Sequence, residues 1–318
     1  MSIVCTGSIA YDYLMSFPGY FRDHILPDRL DTISLSFLVD SMVKQRGGTA
    51  PNIAYTLALL GEPTMVVGTV GEDFDDYRKF LDQHAVDTSY IRTIQGKFTA
   101  SFFANTDLAN AQIASFYTGA MVDAGSVSIR EIPRNKVDLV TISPNDPGAM
   151  RQYCEECVDL GIPYLYDPSQ QIVRVDPEDI CVGVQGCESL FVNEYEYELL
   201  QKHTGYTPSR ILSEVKFLVV TCGKEGALVY AEDREFKIPV VQSSSIVDPT
   251  GVGDAFRGGF LRGYRLGMDW QTCGQMGVLA ATYCLEQRGT QNHCYTPQEF
   301  VERYRNNYDD QGILDALL

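Results

Sequence analysis

Strand-like and helix-like segments alternate along most of this 318-residue chain. Short apolar runs and longer amphipathic stretches follow one another in the order strand Met65–Val70, helix Phe74–His84, strand Val137–Ile142, helix Pro147–Leu160, and strands Pro163–Tyr166, Ser189–Val192 and Phe217–Thr221. This order is typical of a parallel β-sheet that is covered by helices. The sequence therefore predicts an α/β protein, large enough for one sizeable domain with an accessory part or for two domains.

Two other regions have β-favouring sequence without this alternation of strands and helices. One contains Thr32–Val39, and the other contains Ala100–Asn105 and Ile113–Tyr117. We expect these segments to lie outside the main sheet and to pair as a small β lid. The predicted division is a lid of residues 13–46 and 98–118, and a large domain of residues 1–12, 47–97 and 119–318.

The charge balance limits the classes of partner. The formal net charge is −17, the pI is near 4.6, and no basic stretch offsets the acidic residues, so nucleic acid is not an expected partner. No run approaches the roughly 18 apolar residues that cross a bilayer, and no charged-then-apolar leader opens the chain. We expect no membrane partner, a cytoplasmic location and a small-molecule substrate.

The stretch Asp248–Phe260 has the pattern of a glycine-containing loop that leads into a helix. Backbone amides of Gly251, Val252 and Gly253, at the positive end of the helix dipole, would form a nest for an anion. Asp254 at its rim would either cap the helix or accept a proton from a hydroxyl group that attacks a bound phosphoryl group. The pattern alone leaves both roles open.

Two familiar phosphate-binding motifs are excluded. Gly223-Lys224 is followed by Glu225 where a Walker A loop has Ser or Thr. Phe256 stands where a dinucleotide fingerprint has its third glycine.

Polar residues also occur at other predicted strand ends and helix starts. Ser8 and Asp12 follow the strand Ser2–Thr6, a position where α/β sheets gather ligands. Gly48 and Asn52 belong to the start of a predicted helix, and Asn193-Glu194-Tyr195-Glu196 opens another after a strand. Each of these residues is equally explained by ordinary turn or capping chemistry.

Three of these stretches resemble motifs of the ribokinase-like, or PfkB, family of small-molecule kinases. Asp248–Phe260 resembles the second signature of the family, with Val252 and Pro249 in place of the usual alanine and threonine. Gly47–Asn52 resembles the first signature, and Asn193–Glu196 the Asn-x-x-Glu motif. The resemblance implies a central, mainly parallel sheet flanked by helices, a β lid, and ATP- and Mg²⁺-dependent phosphorylation.

Three further segments, Ile33–Asp40, Ala111–Tyr117 and Asp167–Gln171, resemble the bacterial adenosine kinases of this family more closely than its sugar kinases. The site residues that the resemblance implies are Ser8, Asp12, Gly48 and Asn52 for the ribose, Ser36 and Gln171 for the purine, Phe102 and Phe116 as a sandwich around the base, Asp254 as the base catalyst with Gly251, Val252 and Gly253 as the anion hole, Asn193, Thr221, Gly223 and Gly226 for ATP, and Glu196 acting indirectly on Mg²⁺. Gln170 is a candidate for the base edge, and Arg174 for a phosphate or lid contact.

The implied reaction is phosphorylation of the 5′-hydroxyl of adenosine to give AMP, a step of purine salvage. One alternative is a sugar kinase of the same fold, and another is a binding protein that retains the pocket without catalysis. Some members of the family dimerise through lid strands, and the alternation in Thr32–Val39 would permit a homodimer here.

Overall fold

The computed structural model describes residues 1–25, 31, 34–309 and 311–318. Its strands are β1 (Ser2–Thr6), β2 (Ala10–Ser16), β3 (Ser41–Gly47), β4 (Thr64–Val70), β5 (Val86–Thr93), β6 (Ala100–Thr106), β7 (Gln112–Tyr117), β8 (Val137–Ile142), β9 (Tyr164–Tyr166), β10 (Ser189–Asn193), β11 (Phe217–Thr221), β12 (Ala227–Ala231) and β13 (Arg234–Ile238). Its helices are α1 (Thr49–Leu59), α2 (Asp75–Gln83), α3 (Pro147–Leu160), α4 (Pro177–Gly186), α5 (Glu194–Thr204), α6 (Pro208–Glu214), α7 (Val252–Arg265), α8 (Trp270–Leu285) and α9 (Pro297–Arg305).

Within the described residues, the large sheet has the strand order β13-β12-β11-β10-β9-β8-β1-β4-β5. All neighbouring strands are parallel except at one end, where β12 is antiparallel to both β11 and β13. Successive side chains of the central strand β1 enter different cores, since Ile3 and Cys5 belong to one buried cluster and Val4 to the other. The sheet is therefore covered on both faces, as the sequence predicted.

A second, four-stranded sheet has the order β3-β2-β6-β7. Strands β2 and β6 are parallel, and the two outer pairs are antiparallel. Together the two sheets confirm the predicted architecture of a large, mainly parallel sheet with a small second β-sheet. The proposed domain boundaries stay a prediction; the small sheet itself begins at Ala10 and its strand β3 ends at Gly47.

One predicted strand is wrong. Residues 34–39 have no strand structure, and the strand of this region is β3, which begins at Ser41. Phe37 packs instead against Phe17 and Phe21, with ring centroids 5.0 and 4.9 Å apart. Within the described residues this segment pairs with no strand, and Phe37 belongs instead to an aromatic cluster. Thr32 and Ile33 lie outside the described residues.

No helix among the described residues is long and apolar enough to span a bilayer. The cytoplasmic location stays a prediction.

Candidate active site

A cavity of about 570 Å³ lies between the carboxyl ends of the large sheet and the small sheet. Ser8, Asn193 and Thr221 line it from the ends of large-sheet strands. Asp12 and Phe102 line it from strands β2 and β6 of the small sheet. The predicted site residues at this cavity are Ser8, Asp12, Gly48, Asn52, Phe102, Phe116, Gln170, Asn193, Glu196, Thr221, Gly251, Gly253 and Asp254.

The glycine loop ends where α7 begins. Gly251 precedes the helix with a φ of +76°, and a Cβ atom there would lie 2.8 Å from the Cβ atom of Thr290. Both the backbone angle and the close contact therefore require glycine at this position. The first amides of a helix have no acceptor within it, so those that face the cavity are available to an anion. Val252 does not line the cavity, and its amide donates a long hydrogen bond of 3.5 Å to the carbonyl of Pro249.

Asp254 lies in the first turn of α7 and is buried. Burial raises the pKa of its carboxyl to about 6, although the Arg257 guanidinium and a hydrogen bond from Asn52 act in the opposite direction. Asn52 Nδ2 donates that bond to Asp254 Oδ2 over 2.8 Å. A carboxyl with this pKa is ionised at neutral pH and can still accept a proton, which is the property of a general base.

Close packing of α1 on α7 brings Asn52 to Asp254. A Cβ atom at Gly258 would lie 2.7 Å from the Cβ atom of Thr56, so a larger residue there would push the helices apart. Asn52 lies one turn before Thr56 on α1, and Asp254 lies one turn before Gly258 on α7. The two signatures that the sequence contains therefore meet through a helix contact between them.

Arg257 and Asp167 form part of this site, but sequence reasoning missed both roles. Arg257 Nη2 donates to Asp167 Oδ1 over 2.7 Å, and its Nη1 lies 3.4 Å from Asp254 Oδ1. The Arg257 side chain is 11% exposed, and that of Asp167 is fully buried. An isolated arginine inside a helical pattern has no distinguishing local signal, and Asp167 was noted only as the first residue of the segment Asp167–Gln171.

A second polar chain reaches Asn52 from its other side. Gln291 Nε2 donates to Asn52 Oδ1 over 2.7 Å and also to the hydroxyl of Tyr77. That hydroxyl in turn donates to the carbonyl of Gly47 over 2.9 Å. The chain fixes which side of the Asn52 amide faces Asp254, because Asn52 Oδ1 accepts from Gln291 and only Nδ2 remains to donate. Gln291 follows no motif that could have identified it.

Ser8 and Asp12, for which the resemblance implies contacts with the ribose, both line the cavity. Burial raises the pKa of Asp12 to about 6, and the negative charges of Asp248 and Asp254 raise it further. The hydroxyl of Ser8 accepts from the amide of Thr49 over 3.2 Å, and Gly48 caps α1 beside it. These groups offer both donors and acceptors to a ligand that carries hydroxyl groups.

Phe102 and Phe116 both line the cavity, but they do not face each other. They are directly paired residues of the antiparallel strands β6 and β7, and directly paired residues lie on the same face of a sheet. Asp12 is the partner of Phe102 on β2. The two rings therefore form one aromatic wall beside Asp12, which corrects the predicted sandwich.

Some of the residues predicted to bind the nucleotide and the metal line the cavity, and others do not. Asn193 and Glu196 form a capping box at the start of α5, and burial, followed by the charge of Asp167, raises the pKa of Glu196. Thr221 reaches the cavity. Gly223 and Gly226 lie in the turn between β11 and β12 and are not among the residues that line the cavity.

Three other predicted site residues, Ser36, Gln171 and Arg174, are not among the residues that line the cavity. Ser36 is exposed in the segment that forms no strand. Gln171 is buried, and its Nε2 donates to the carbonyl of Asn145 over 2.8 Å, so the side chain is committed within the protein. Arg174 is exposed. The structure thus corrects the purine contacts assigned to Ser36 and Gln171, and it leaves Gln170 as the glutamine at the cavity.

No group of three or more His, Cys, Asp or Glu side chains with the geometry of a metal site occurs among the described residues. Mg²⁺ in phosphate-handling sites retains several waters and uses one or two carboxylates together with the substrate phosphates. Glu196, an oxygen donor at the same cavity as the amides of α7, fits such a limited role.

The sequence and fold match known proteins over most of the chain. Residues 10–298 match the model of the pfkB family carbohydrate kinases. A nucleoside kinase of Methanocaldococcus jannaschii is 28% identical over 308 residues, covering 95% of this chain and 96% of that protein. The structure of Burkholderia thailandensis nucleoside kinase in complex with inosine has a TM-score of 0.86 at 34% identity, covering 97% of this chain and 98% of that one.

Proposed function

The chain belongs to the pfkB family of carbohydrate kinases, and from this premise we propose that it is a purine nucleoside kinase that converts adenosine to AMP. The phosphate donor is ATP, and the acceptor is the 5′-hydroxyl group of the nucleoside. Magnesium accompanies the nucleotide. The proposal places the enzyme in purine salvage.

One observation carries this proposal: a single cavity has an aromatic wall at the small sheet and an anion-binding helix start with Asp254 at the large sheet. Phe102 and Phe116 offer flat apolar faces, on which a base stacks with roughly 1 to 3 kcal/mol per ring. A free sugar has no flat face that would use them. Asp12 and Ser8 lie in the same cavity and suit the hydroxyls of a ribose.

The reaction uses Asp254 as a proton acceptor. The 5′-oxygen forms a bond to the γ-phosphorus as the bond from that phosphorus to the ADP oxygen breaks, and the hydroxyl proton passes to Asp254. Amides at the start of α7 stabilise the charge on the transferred group. Bound Mg²⁺ would neutralise charge on the phosphates, and Glu196, which lines the same cavity, would orient it. Asn52 and Arg257 hold the carboxylate in place.

Gln170 would allow the enzyme to accept purine nucleosides other than adenosine. Its side chain is exposed at the cavity, and among the described residues no hydrogen bond holds its amide in one orientation. An amide presents a donor on one side and an acceptor on the other, and it can rotate to serve either 6-substituent of a purine. Inosine, named as the ligand of the Burkholderia enzyme, is therefore a second expected substrate.

The decisive experiment measures ATP consumption with Mg²⁺ against adenosine, inosine, ribose and fructose phosphates, with products identified by mass. AMP from adenosine, and IMP from inosine, would support the proposal. Turnover of a sugar alone would keep the family and reject the nucleoside assignment. The Asp254→Asn variant should lose roughly 100-fold or more in turnover while binding the nucleoside, because only the proton acceptor is removed.

A homodimer through the small sheet remains part of the proposal. All six residues of the edge strand β7 are exposed, among them the apolar Ile113 and Tyr117. An exposed edge strand has unpaired backbone groups that a second copy can pair with. Light scattering should give twice the chain mass, and an Ile113→Lys variant should shift it to the monomer.

A further inference from the structure

Arg257 is the only basic side chain among the described residues that line the active-site cavity. The carboxylates of Asp12, Glu196 and Asp254 line the same cavity. A kinase that holds its phosphate donor here therefore has a mostly acidic wall with a single protein cation in it. Phosphate oxygens form strong hydrogen bonds with a guanidinium, which presents its N–H donors in a planar array. The orientation of Arg257 thus determines whether that cation can contact the donor.

The guanidinium of Arg257 is held in place by residues that follow strand β9. Nη2 donates to Asp167 Oδ1 over 2.7 Å and to Ser169 Oγ over 3.0 Å, and Nε lies 2.7 Å from Asp167 Oδ2. The hydroxyl of Ser169 in turn donates to Asp167 Oδ1 over 2.6 Å. A carboxylate that contacts a guanidinium at two nitrogens fixes the plane of the group. The arginine is therefore oriented before any ligand binds.

The backbone of Ser169 adopts a costly conformation at this contact. Its φ is +38°, in the left-handed region that residues other than glycine seldom adopt. In this conformation its hydroxyl contacts both Asp167 and Arg257. Backbone strain of this kind persists where the surrounding contacts enforce it, and it is concentrated at functional sites. The strain points to a functional need for a fixed guanidinium.

Nη1 is the nitrogen of Arg257 that retains a free donor. It carries a pair of N–H groups, and its one acceptor among the described residues is Asp254 Oδ1 at 3.4 Å. That distance is long for a charge-assisted bond, in which nitrogen and oxygen are typically about 2.7 to 2.9 Å apart. At least one N–H group of Nη1 is therefore available to a ligand in the cavity.

Nη1 also lies beside the place where a transferred phosphoryl group would bind. A Cβ atom at Gly253 would lie 3.0 Å from Nη1, so this nitrogen is next to the first turn of α7 and its free amides. Asp254, the proposed proton acceptor, is its other neighbour. A phosphoryl group that these amides hold, and that a hydroxyl bonded to Asp254 attacks, is within reach of Nη1.

We propose that Arg257 is a catalytic residue whose Nη1 donates a hydrogen bond to a non-bridging oxygen of the transferred phosphoryl group. The bond from the acceptor oxygen to phosphorus forms as the bond from phosphorus to the ADP oxygen breaks, and the fixed cation stabilises negative charge on the non-bridging oxygens. Arg257 neither gains nor loses a proton, since the hydroxyl proton passes to Asp254. The inference rests on the proposed function only in that this cavity transfers a phosphoryl group.

An indirect effect of Arg257, through Asp254, would have a different signature. Burial raises the pKa of Asp254 to about 6, and the charge of Arg257 opposes that rise. An arginine that acted only through this pKa would move the acid limb of kcat and leave the plateau above it unchanged. An arginine that contacts the phosphoryl group contributes at every pH, so its loss lowers the plateau. The plateau therefore separates the two roles.

The test is a pH profile of kcat for Arg257→Lys, measured with the acceptor that the wild-type enzyme phosphorylates. Lysine keeps the positive charge but lacks the planar set of donors that contacts Asp167, Ser169 and the phosphoryl group together. The plateau should fall about 100-fold to 1,000-fold, as when one preorganised donor to a transition state is removed. KM for ATP should change far less.

Arg262→Lys is the matched control. Arg262 lies on the same helix, its side chain is 14% exposed against 11% for Arg257, and it pairs with the buried carboxylate of Glu62. It does not line the cavity. This variant loses a comparable buried ion pair of α7 and should keep the wild-type plateau.

A second pair of variants removes the arginine without leaving a buried charge unpaired. Asp167→Asn keeps Arg257, whereas Asp167→Asn combined with Arg257→Gln replaces the whole ion pair by amides. Loss of one partner alone would leave an uncompensated buried charge, which is the more destabilising change. The plateau of the double variant should lie about 100-fold below that of Asp167→Asn. Melting temperatures of all variants check that the fold is kept.

Aluminium fluoride gives a readout that does not depend on turnover. With Mg²⁺, ADP and the acceptor present, it occupies the place of the transferred group, and such transition-state analogues bind more tightly than ground-state ligands. Calorimetry should show that aluminium fluoride tightens ADP binding to the wild type. In Arg257→Lys this gain should be lost in proportion to kcat, while ADP alone should bind equally well.

A wild-type plateau in Arg257→Lys, with only the acid limb moved, would overturn the proposal and leave Arg257 as a positioning residue for Asp254. An equal fall of the plateau in Arg262→Lys would overturn it too, because the effect would then follow from a weakened α7. Failure of the proposed function is distinguishable from both outcomes. A wild-type enzyme that phosphorylates only a sugar rejects the nucleoside, and the same comparison of variants is then made with that sugar.

Discussion

Asn52 and Asp254 are 202 positions apart in the chain, and Nδ2 of the first donates to Oδ2 of the second over 2.8 Å. This hydrogen bond unites the two signatures that the sequence contains, and it acts on the protonation of the base. Because the bond favours the ionised carboxylate, it opposes the effect of burial, which has raised the pKa to about 6.

The pH dependence of turnover follows from that pKa. Asp254 must be ionised to accept the proton, so kcat should be level above about pH 7 and fall about tenfold per pH unit well below pH 6. Asp12 also has a pKa raised to about 6, but its proposed role is to bind the ribose, so Asp12→Asn should retain the acid limb of kcat. A kcat that is constant from pH 5 to 8 would exclude Asp254 as the base.

Removing Asn52 should shift that acid limb. In Asn52→Ala the carboxylate of Asp254 loses a donor, and a hydrogen bond to a charged group is worth about 1.5 to 3 kcal/mol, or about one to two pKa units. The limb should therefore move to higher pH. Thr56→Val, a buried change one turn later on α1 that affects the contact with His293, should leave it in place. Identical limbs in the two variants would contradict the assignment.

The aromatic wall should affect nucleoside binding more than catalysis. Phe116→Ala should raise KM for adenosine roughly tenfold to a hundredfold, since a stacked ring contributes roughly 1 to 3 kcal/mol. Ile113→Ala is a matched control because it lies on the same strand, is 43% exposed against 42% for Phe116, and points to the other face. Steady-state kinetics on both variants decide the point. Equal effects of the two changes on KM would contradict the assignment of Phe116 to base stacking.

Glu196→Gln should show how much the negative charge of Glu196 contributes to Mg²⁺ binding. Glutamine can keep the capping box with Asn193, so α5 should remain stable. The Mg²⁺ concentration for half-maximal rate should rise roughly tenfold, as is common when a group that orients metal ligands is changed. Rates measured across a Mg²⁺ titration, with melting temperatures alongside, test this. An unchanged Mg²⁺ requirement would remove Glu196 from the metal site.

Local sequence was sufficient for the parts of the site that are built by local geometry. The loop before α7 needs glycine at position 251 because of its positive φ, and the capping box at Asn193 spans only four residues. The buried strand β1 was recognised from its short apolar run. Such features show in the sequence because neighbouring residues create them.

Features that depend on distant partners were missed or misplaced. Arg257 was visible in the signature, but its partner Asp167 lies 90 positions away. Gln291 follows α8 and meets Asn52 of α1 across 239 positions of the chain. The sandwich of Phe102 and Phe116 failed because the pairing register of β6 and β7, which no local pattern reveals, puts both rings on one face.

The buried pairing of Arg257 with Asp167 and Asp254 also constrains the history of this site. Loss of the arginine alone would leave two acidic groups without their shared cation, and breaking a buried ion pair costs about 3 to 5 kcal/mol. We therefore expect Arg257 to be exchanged for a neutral residue only together with, or after, a change at position 167. Among descendants of one gene, we expect the change at position 167 to precede or accompany the change at position 257.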